Sequence, residues 1–226
     1  MNTTEGTAEQ TATFRPALVL PAGVRVVVFD VVGTLVEPHP PVAVAYQRAA
    51  ARHGVERGVV EIDNLFRAAW RNQEAIDAAA VTPFATDRAR ERERWREIVF
   101  DVFPDVPAAA DIFTELWEHF GRPTAWRPTL QGPALVRQAI DAGLTVALAS
   151  NFDERLLAIA GHVEPLSLVP HVFASSELGW RKPAVEFFRA VEERLASSPS
   201  ELLLVGDDPE LDLAAGRRAG WHVCGV

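Results

Sequence analysis

VRVVVFDVVGTL, residues 24–35, places a strand, a carboxylate and a tight turn within one short stretch. The run VRVVVF (24–29) is apolar but for Arg25 near its start and rich in β-branched residues, which suits a strand buried on both faces. Asp30 stands at its C-terminal end, and Gly33-Thr34 marks the turn beyond it. A strand that needs cover on both faces requires crossover helices, and the second half of the chain supplies them. A helix near 131–142 precedes the apolar strand LTVALA (144–149), and a helix near 153–161 precedes HVFAS (171–175). A helix from Pro183 to about Ala196, the strand ELLLVG (201–206), a helix from Pro209 to about Ala219 and a last strand WHVCGV (221–226) complete the pattern. This alternation predicts an α/β fold, a Rossmann-like three-layer core with a parallel sheet.

Between about Pro40 and Phe120 the period is helical throughout. PPVAVAYQRAAARHG (40–54) opens with prolines and closes on His53-Gly54, the punctuation of one helix. Further helical segments are predicted near 59–79, 87–103 and 107–120, with no strand among them. The organisation that follows is a flexible polar tail (1–23), a core made of 24–36 and 128–226, and an all-helical insertion, 37–127. Within the insertion, DRARERERWRE (87–97) pairs Glu91 with Arg94 and Arg94 with Glu97 at i, i+3, which predicts a solvated helix face. Trp70, Trp95, Phe100, Phe103 and Trp117 recur at helical spacing and are expected to form the insertion's core.

Hydrophobic residues make up 48% and charged residues 23% of the 226, an ordinary balance for a globular chain able to bury a full core. The net charge of −9 argues against a nucleic-acid partner. No apolar run approaches the roughly 18 residues of a membrane span, and the N-terminus lacks the pattern of a secretory signal, so no membrane partner is expected. Cys224 is the single cysteine, which fits a reducing, cytoplasmic location and a small residue packed near a strand. No oligomeric state is implied. Of the 22 basic residues all but one are arginine, which makes the position of the sole lysine, Lys182, informative.

In open parallel sheets, ligands lie beyond the carboxyl ends of the strands. Four polar clusters fall at such places: Asp30, Ser150-Asn151, Arg181-Lys182, and Asp207-Asp208 with Asp212 on the following helix. Asp208 precedes Pro209 and reads as a helix N-cap, and Ser150, Asn151 and Asp153 could cap the helix after them. Asp207 ends an apolar strand beside other carboxylates, an arrangement that is costly without a cation. Together the groups suit phosphoryl transfer through an aspartyl intermediate. Asp30 would be the nucleophile, and Mg²⁺ would be held by Asp30, Asp207 and the backbone carbonyl of Val32. Ser150 would bond a phosphate oxygen, and Lys182 would place a compact cation on the phosphate and the nucleophile.

The segments VVVFDVVGTL, LASN, GWRKP and VGDDPELD resemble, in order, the four motifs of the haloacid dehalogenase-like hydrolase superfamily. The resemblance covers the predicted core, and the helical insertion resembles the family's C1 cap. More narrowly, HPPVAVAYQRAAARHG, SNFDERL and SSELGWRKP resemble the branch of haloacid dehalogenase-like hydrolase domain-containing protein 3. The resemblance implies a catalytic set of Asp30, Ser150 and Lys182, supporting roles for Thr34, Asn151, Asp208 and Asp212, and Mg²⁺ as cofactor. The implied substrate is a small phosphorylated metabolite.

Val32 departs from the family pattern, which has a second aspartate there. In family phosphatases that residue protonates the leaving oxygen and activates water, a contribution of about 10² to 10⁴ in rate. Its loss implies reduced or substrate-assisted proton transfer, with His39, just beyond the motif, a candidate replacement. Two other readings stay open: a non-catalytic phosphometabolite-binding or regulatory protein, and a haloacid dehalogenase. Family dehalogenases tolerate a non-acid at this position and resemble the chain at Ser150-Asn151, but they work without Mg²⁺.

Overall fold

The computed structural model of the protein describes residues 18–226, so most of the expected tail, residues 1–17, lies outside the described residues. The strands are β1 (Val26–Phe29), β2 (Val36–Pro38), β3 (Trp126–Pro128), β4 (Thr145–Ser150), β5 (His171–Ala174), β6 (Leu202–Gly206) and β7 (His222–Gly225). The helices are α1 (Val42–Arg52), α2 (Val59–Ala79), α3 (Arg88–Val102), α4 (Ala109–Phe120), α5 (Gly132–Asp141), α6 (Arg155–Ala160), α7 (Ser175–Leu178), α8 (Val185–Leu195) and α9 (Ala215–Arg218).

Five strands form one parallel sheet in the order β5-β4-β1-β6-β7. Because side chains alternate along a strand, β1 feeds two cores. Val27 and Phe29 pack with Leu135 and Val136 of α5 and Leu156 of α6 on one face. Val26 and Val28 pack with Phe187, Phe188 and Val191 of α8 on the other. This is the double burial expected of the VRVVVF run, and it makes the fold α/β. In sequence, Cys224 falls within β7 and is half-buried against the first of these cores. With β1 at the centre, the chain runs outward to β4 and β5 on one side and to β6 and β7 on the other. The carboxyl ends of β1, β4 and β6 therefore meet at a topological switch point.

Helices α1 to α4 lie between β1 and β4 in the chain and enclose an apolar cluster of their own around Tyr46, Ile62, Ile98, Val102 and Ile112. The two passages into and out of this helical unit pair as an antiparallel ribbon, β2 with β3, with Glu37 opposite Arg127. Three-residue strands bearing prolines carry no readable period, which is why the pattern of residues did not announce them.

A second junction joins the helical unit to the core. Between α2 and α3 the chain docks on the loop after α7: Thr86 donates its N–H to the Gly179 carbonyl at 2.9 Å, and Arg181 donates to the Phe84 carbonyl at 2.9 Å. Beneath these bonds is a buried ionic network. Arg181 bonds both Glu91 oxygens, at 2.7 and 2.9 Å, and reaches Glu74 at 3.2 Å. Arg94 bonds Glu74 and Asp77, and the Thr86 hydroxyl donates to Glu91 at 3.0 Å. Burial, aided by the charge of Arg181, lowers the Arg94 pKa to about 10, so it remains a cation.

This corrects the expectation of a solvated face on residues 87–97. Glu91 and Arg94 are each only 1% exposed and share the inward face with Ile98 and Val102. Their partners lie across the molecule on α2 and on the loop at Arg181. The i, i+3 spacing reflects a common helix face and not a pair closed within the helix. The segment meets solvent at Asp87, Arg88, Ala89, Arg92 and Glu93, and on that side Arg96 bonds both Glu93 and Glu97.

Removing one partner of a buried pair leaves an uncompensated charge. Glu91→Ala is expected to lower the unfolding free energy by about 3–5 kcal/mol in urea denaturation. Glu93→Ala, on the exposed side, is expected to cost no more than about 1 kcal/mol. Equal losses at the two positions would contradict a tertiary network.

Candidate active site

Four chain segments converge at the carboxyl edge of the sheet. Asp30 follows β1, and its N–H donates to the Val205 carbonyl of β6 at 2.9 Å, which fixes its backbone against the neighbouring strand. Ser150 ends β4 and donates from its hydroxyl to Asp30 Oδ1 at 3.0 Å. Lys182 is only 2% exposed, and its ammonium bonds Asp30 Oδ1 at 2.7 Å and also Asp212 Oδ1. Asn151 holds the lysine's backbone from both sides, accepting from the Lys182 N–H at 2.7 Å and donating to the Lys182 carbonyl at 2.9 Å. The sole lysine therefore lies at the centre of the site.

The turn after Asp30 is shaped to admit the end of β6. Gly33 has φ +91, and a Cβ there would fall 2.4 Å from Asp207 Oδ2, so only glycine satisfies both the backbone and the approach. The Thr34 hydroxyl donates to Asp207 Oδ1 at 2.8 Å. The bonds closing this turn run to the carbonyls of Val31 and Val36 and leave the Val32 carbonyl outside them. Asp208 is the N-cap of the following π-helical turn, Pro209–Ala214, accepting from Glu210 N and Leu211 N at 2.8 Å each. Its side chain is thereby committed to the backbone. The wide turn carries Asp212 inward until a Cβ on Gly206 would lie 2.4 Å from Asp212 Oδ2.

Asp30, Asp207 and Asp212 each offer a carboxylate oxygen, all within 4.8 Å of one another. Three carboxylates face one ammonium, a formal excess of two negative charges. Both signs of group respond. Burial, augmented by the charges of Asp212 and Asp207 and opposed by Lys182, raises the Asp30 pKa to about 6. Burial also raises that of Asp207, against the Thr34 hydrogen bond. For Lys182 burial disfavours the charge, but Asp30 and Asp212 outweigh it and hold the pKa above its ordinary value. Hard oxygen donors and a charge deficit of two are the chemistry of a site for a divalent cation such as Mg²⁺.

Beside this cluster is a cavity of about 410 Å³, bounded by residues of both the core and the helical unit. Val32 and Asn151 line it, and rings of Tyr46, Phe66, Trp70 and Trp95 form much of its wall. Of the aromatic residues expected in the insertion's core, Phe103 is buried, while Trp70, Trp95, Phe100 and Trp117 are half-buried against that core and the three tryptophans also face this space. Arg155 also borders the cavity; it bonds both oxygens of the buried Asp153 at 2.7 Å and stacks 3.5 Å over the Trp117 ring. Sequence reasoning passed over Arg155, whose only signal was its place just beyond SNFD. His39 is exposed after β2 and is not among the residues bordering the cavity.

The family model described as haloacid dehalogenase-like hydrolase matches residues 24–220, and the chain belongs to that family. It is 28% identical over 205 residues to human haloacid dehalogenase-like hydrolase domain-containing protein 3, with 88% of this chain and 80% of that protein covered. It is also 28% identical over 216 residues to the phosphoserine phosphatase of Thermus thermophilus, with 87% and 86% covered. Among solved structures, the defluorinating L-2-haloacid dehalogenase Rha0230 superposes with a TM-score of 0.70 at 24% identity, over 89% of this chain and 80% of that one. The magnesium-bound HAD-hydrolase YfnB from Bacillus subtilis gives a TM-score of 0.63 at 18% identity, over 90% and 88%. At these identities the structural likeness bears on the fold. Among the described residues no helix is long and apolar enough to cross a membrane.

A carboxyl whose pKa is raised on folding adds stability that is complete below its ordinary value and is lost as pH rises through the folded value. For Asp30 that window runs from the ordinary 3.8 to about 6. In the metal-free protein, Asp30→Asn should therefore gain in melting temperature relative to the parent as pH rises from about 4 to 7. A difference that is constant across that range in scanning calorimetry would contradict the assignment.

Proposed function

We propose that this chain is a Mg²⁺-dependent hydrolase of small phosphorylated metabolites, acting through an aspartyl-phosphate on Asp30 with reduced or substrate-assisted proton transfer. The observation that carries this reading is the group of three carboxylates, Asp30 and Asp212 buried and Asp207 at the surface, matched by a single ammonium. Asp30, Asp207 and the Val32 carbonyl would hold the ion, with Asp212 beside them. When bound, the ion would screen the charge of the phosphate against that of the nucleophile. The phosphoserine phosphatase relative is consistent with a phosphate ester as substrate.

The chain's own residues account for the remaining work. Lys182 orients Asp30 and favours its ionised, nucleophilic form, and the Asn151 clamp keeps the lysine from swinging away. Ser150, already bonded to Asp30, is placed to donate to an oxygen of the arriving phosphoryl group. The Asp30 oxygen bonds to phosphorus as the ester oxygen leaves, and water then attacks phosphorus and restores the carboxylate. Val32 offers no proton to the leaving oxygen, so the substrate or solvent supplies it. The helical unit, residues 37–127, acts as the cap over this reaction.

A second reading is favoured by one observation. The wall next to Val32 is apolar, and a departing halide requires no proton, which would suit a haloacid dehalogenase. A third, a binding or regulatory protein, would retain metal and phosphate without turnover.

The purified protein with Mg²⁺ is expected to release phosphate from at least one member of a phosphate-ester panel, and Asp30→Asn to abolish that release. Metal-independent halide release from a 2-haloacid, with no phosphate release, would decide for the dehalogenase. Phosphonate binding by calorimetry without turnover would decide for the binding protein.

Val32→Asp would restore a proton carrier and should raise turnover of alkyl phosphates by about 10²-fold or more, and of aryl phosphates much less. An equal gain on both classes in steady-state kinetics would count against the proton-transfer account.

A further inference from the structure

Resting on the phosphoryl-transfer reading above, we infer that the substrate is a phosphate monoester of an apolar aromatic alcohol, a phenol or enol whose oxygen departs without being protonated. Two independent observations lead there. The first is chemical. Val32 borders the cavity two residues beyond Asp30 and carries no titratable group, and His39 does not border it. A leaving oxygen at that wall departs as the anion. An alkoxide is poorly stabilised in water, whereas a phenoxide, with a conjugate-acid pKa of about 10, is a far better leaving group.

The second observation is the cavity itself. At about 410 Å³ it lies within the range typical of small-molecule sites. Its wall is aromatic: Tyr46 and Phe66 meet edge to face at 5.5 Å between centroids, and Trp70 and Trp95 are 5.6 Å apart and tilted. Such a wall accepts another ring in offset or edge contact. Several of the polar groups on it are already bonded. Asp153 and Arg155 are bonded to each other, Arg155 also reaches the Trp117 carbonyl, and Arg67 pairs with Asp63. Among the described residues Arg71, on the same wall, is in no ion pair, and its guanidinium can lie against an aromatic ring; the hydroxyls of a sugar phosphate would have mostly rings for neighbours, which disfavours that class.

The step balances without a protein acid. As an Asp30 oxygen bonds to phosphorus, the bond from phosphorus to the ester oxygen breaks, and its electron pair leaves with the aryloxide. The oxygen of a water molecule then bonds to phosphorus, and the bond to Asp30 breaks to regenerate the carboxylate. One proton of that water stays on the phosphate and the other reaches the aryloxide. Ester and water thus give phenol and hydrogenphosphate.

The test uses the full chain with Mg²⁺ and three substrates: 1-naphthyl phosphate, glucose 6-phosphate, and acetyl phosphate, whose small leaving group needs no proton and cannot fill the cavity. The expected result is hydrolysis of acetyl and naphthyl phosphates, with a KM for the naphthyl ester lower by roughly 10- to 100-fold, the gain from burying one ring. Trp95→Leu and, separately, Phe66→Leu should each reduce the naphthyl-over-acetyl preference in kcat/KM by about tenfold. As a readout free of turnover, 1-naphthylmethylphosphonate should quench tryptophan fluorescence and bind at least about tenfold more tightly than methylphosphonate. Hydrolysis of acetyl phosphate with no preference for the naphthyl ester, or with glucose 6-phosphate the better substrate, overturns this inference and leaves the phosphatase reading standing. Failure to hydrolyse any phosphate, acetyl phosphate included, overturns the reading beneath it and this inference with it.

Discussion

The ammonium of Lys182, buried between Asp30 and Asp212, is the interaction on which the site depends. Three carboxylates meet where β1 and β6 end, and carboxylates this close resist ionising together. One cation placed among them keeps Asp30 usable as an anion, and a second, divalent, charge would complete the neutralisation. A lysine suits the position better than an arginine. Its charge is compact, and it reaches two acceptors on different segments of the chain without a planar fork to accommodate. In a chain whose other basic residues are all arginine, that choice has a local physical cause.

Lys182 is not held by its own ion pairs alone. Asn151 fixes its peptide from β4, and its chain neighbour Arg181 points into the other buried ionic system, with Glu74 and Glu91 of the helical unit. Two adjacent residues thus serve two networks: one carries charge to Asp30 and Asp212, and the other ties the same backbone to α2 and α3. The placement of the helical unit and the placement of the lysine share a covalent connection. A shift of α3 relative to the sheet would be felt first at Arg181 and next at Lys182.

The apolar wall at Val32 gives the site a second character. Charge is concentrated on the sheet side, where Asp30, Asp207 and Asp212 gather, while aromatic rings of the helical unit bound the neighbouring space. This separation lowers the local dielectric beside Asp30 and strengthens each electrostatic contact there. A valine at that boundary can exclude water but cannot relay a proton. The loss of an acid and the gain of an apolar wall are two consequences of one side chain.

Much of this molecule could be read along the chain. The VRVVVF run implied double burial because only a central parallel strand hides both faces, and Asp30, Ser150 and Asp207 fell at strand ends, with Lys182 in a loop beyond one, because such ends converge in a parallel sheet. The helical segments near 59–79 and 87–103 were legible from their period, and Asp208 from its place before Pro209. The role of Glu91 and Arg94 was not, although the 3.6-residue period aligns them with Ile98 and Val102. A charged residue on an inward face cannot be distinguished from a solvated one until its partner is known, and Arg181 is distant in sequence. The β2–β3 ribbon and the aromatic cavity were hidden for the same reason. Local period and turn chemistry are properties of neighbours in the chain and determine the elements and their order. Ion-pair partners, and the question of whether a tryptophan fills a core or faces a cavity, depend on residues brought together only when those elements pack.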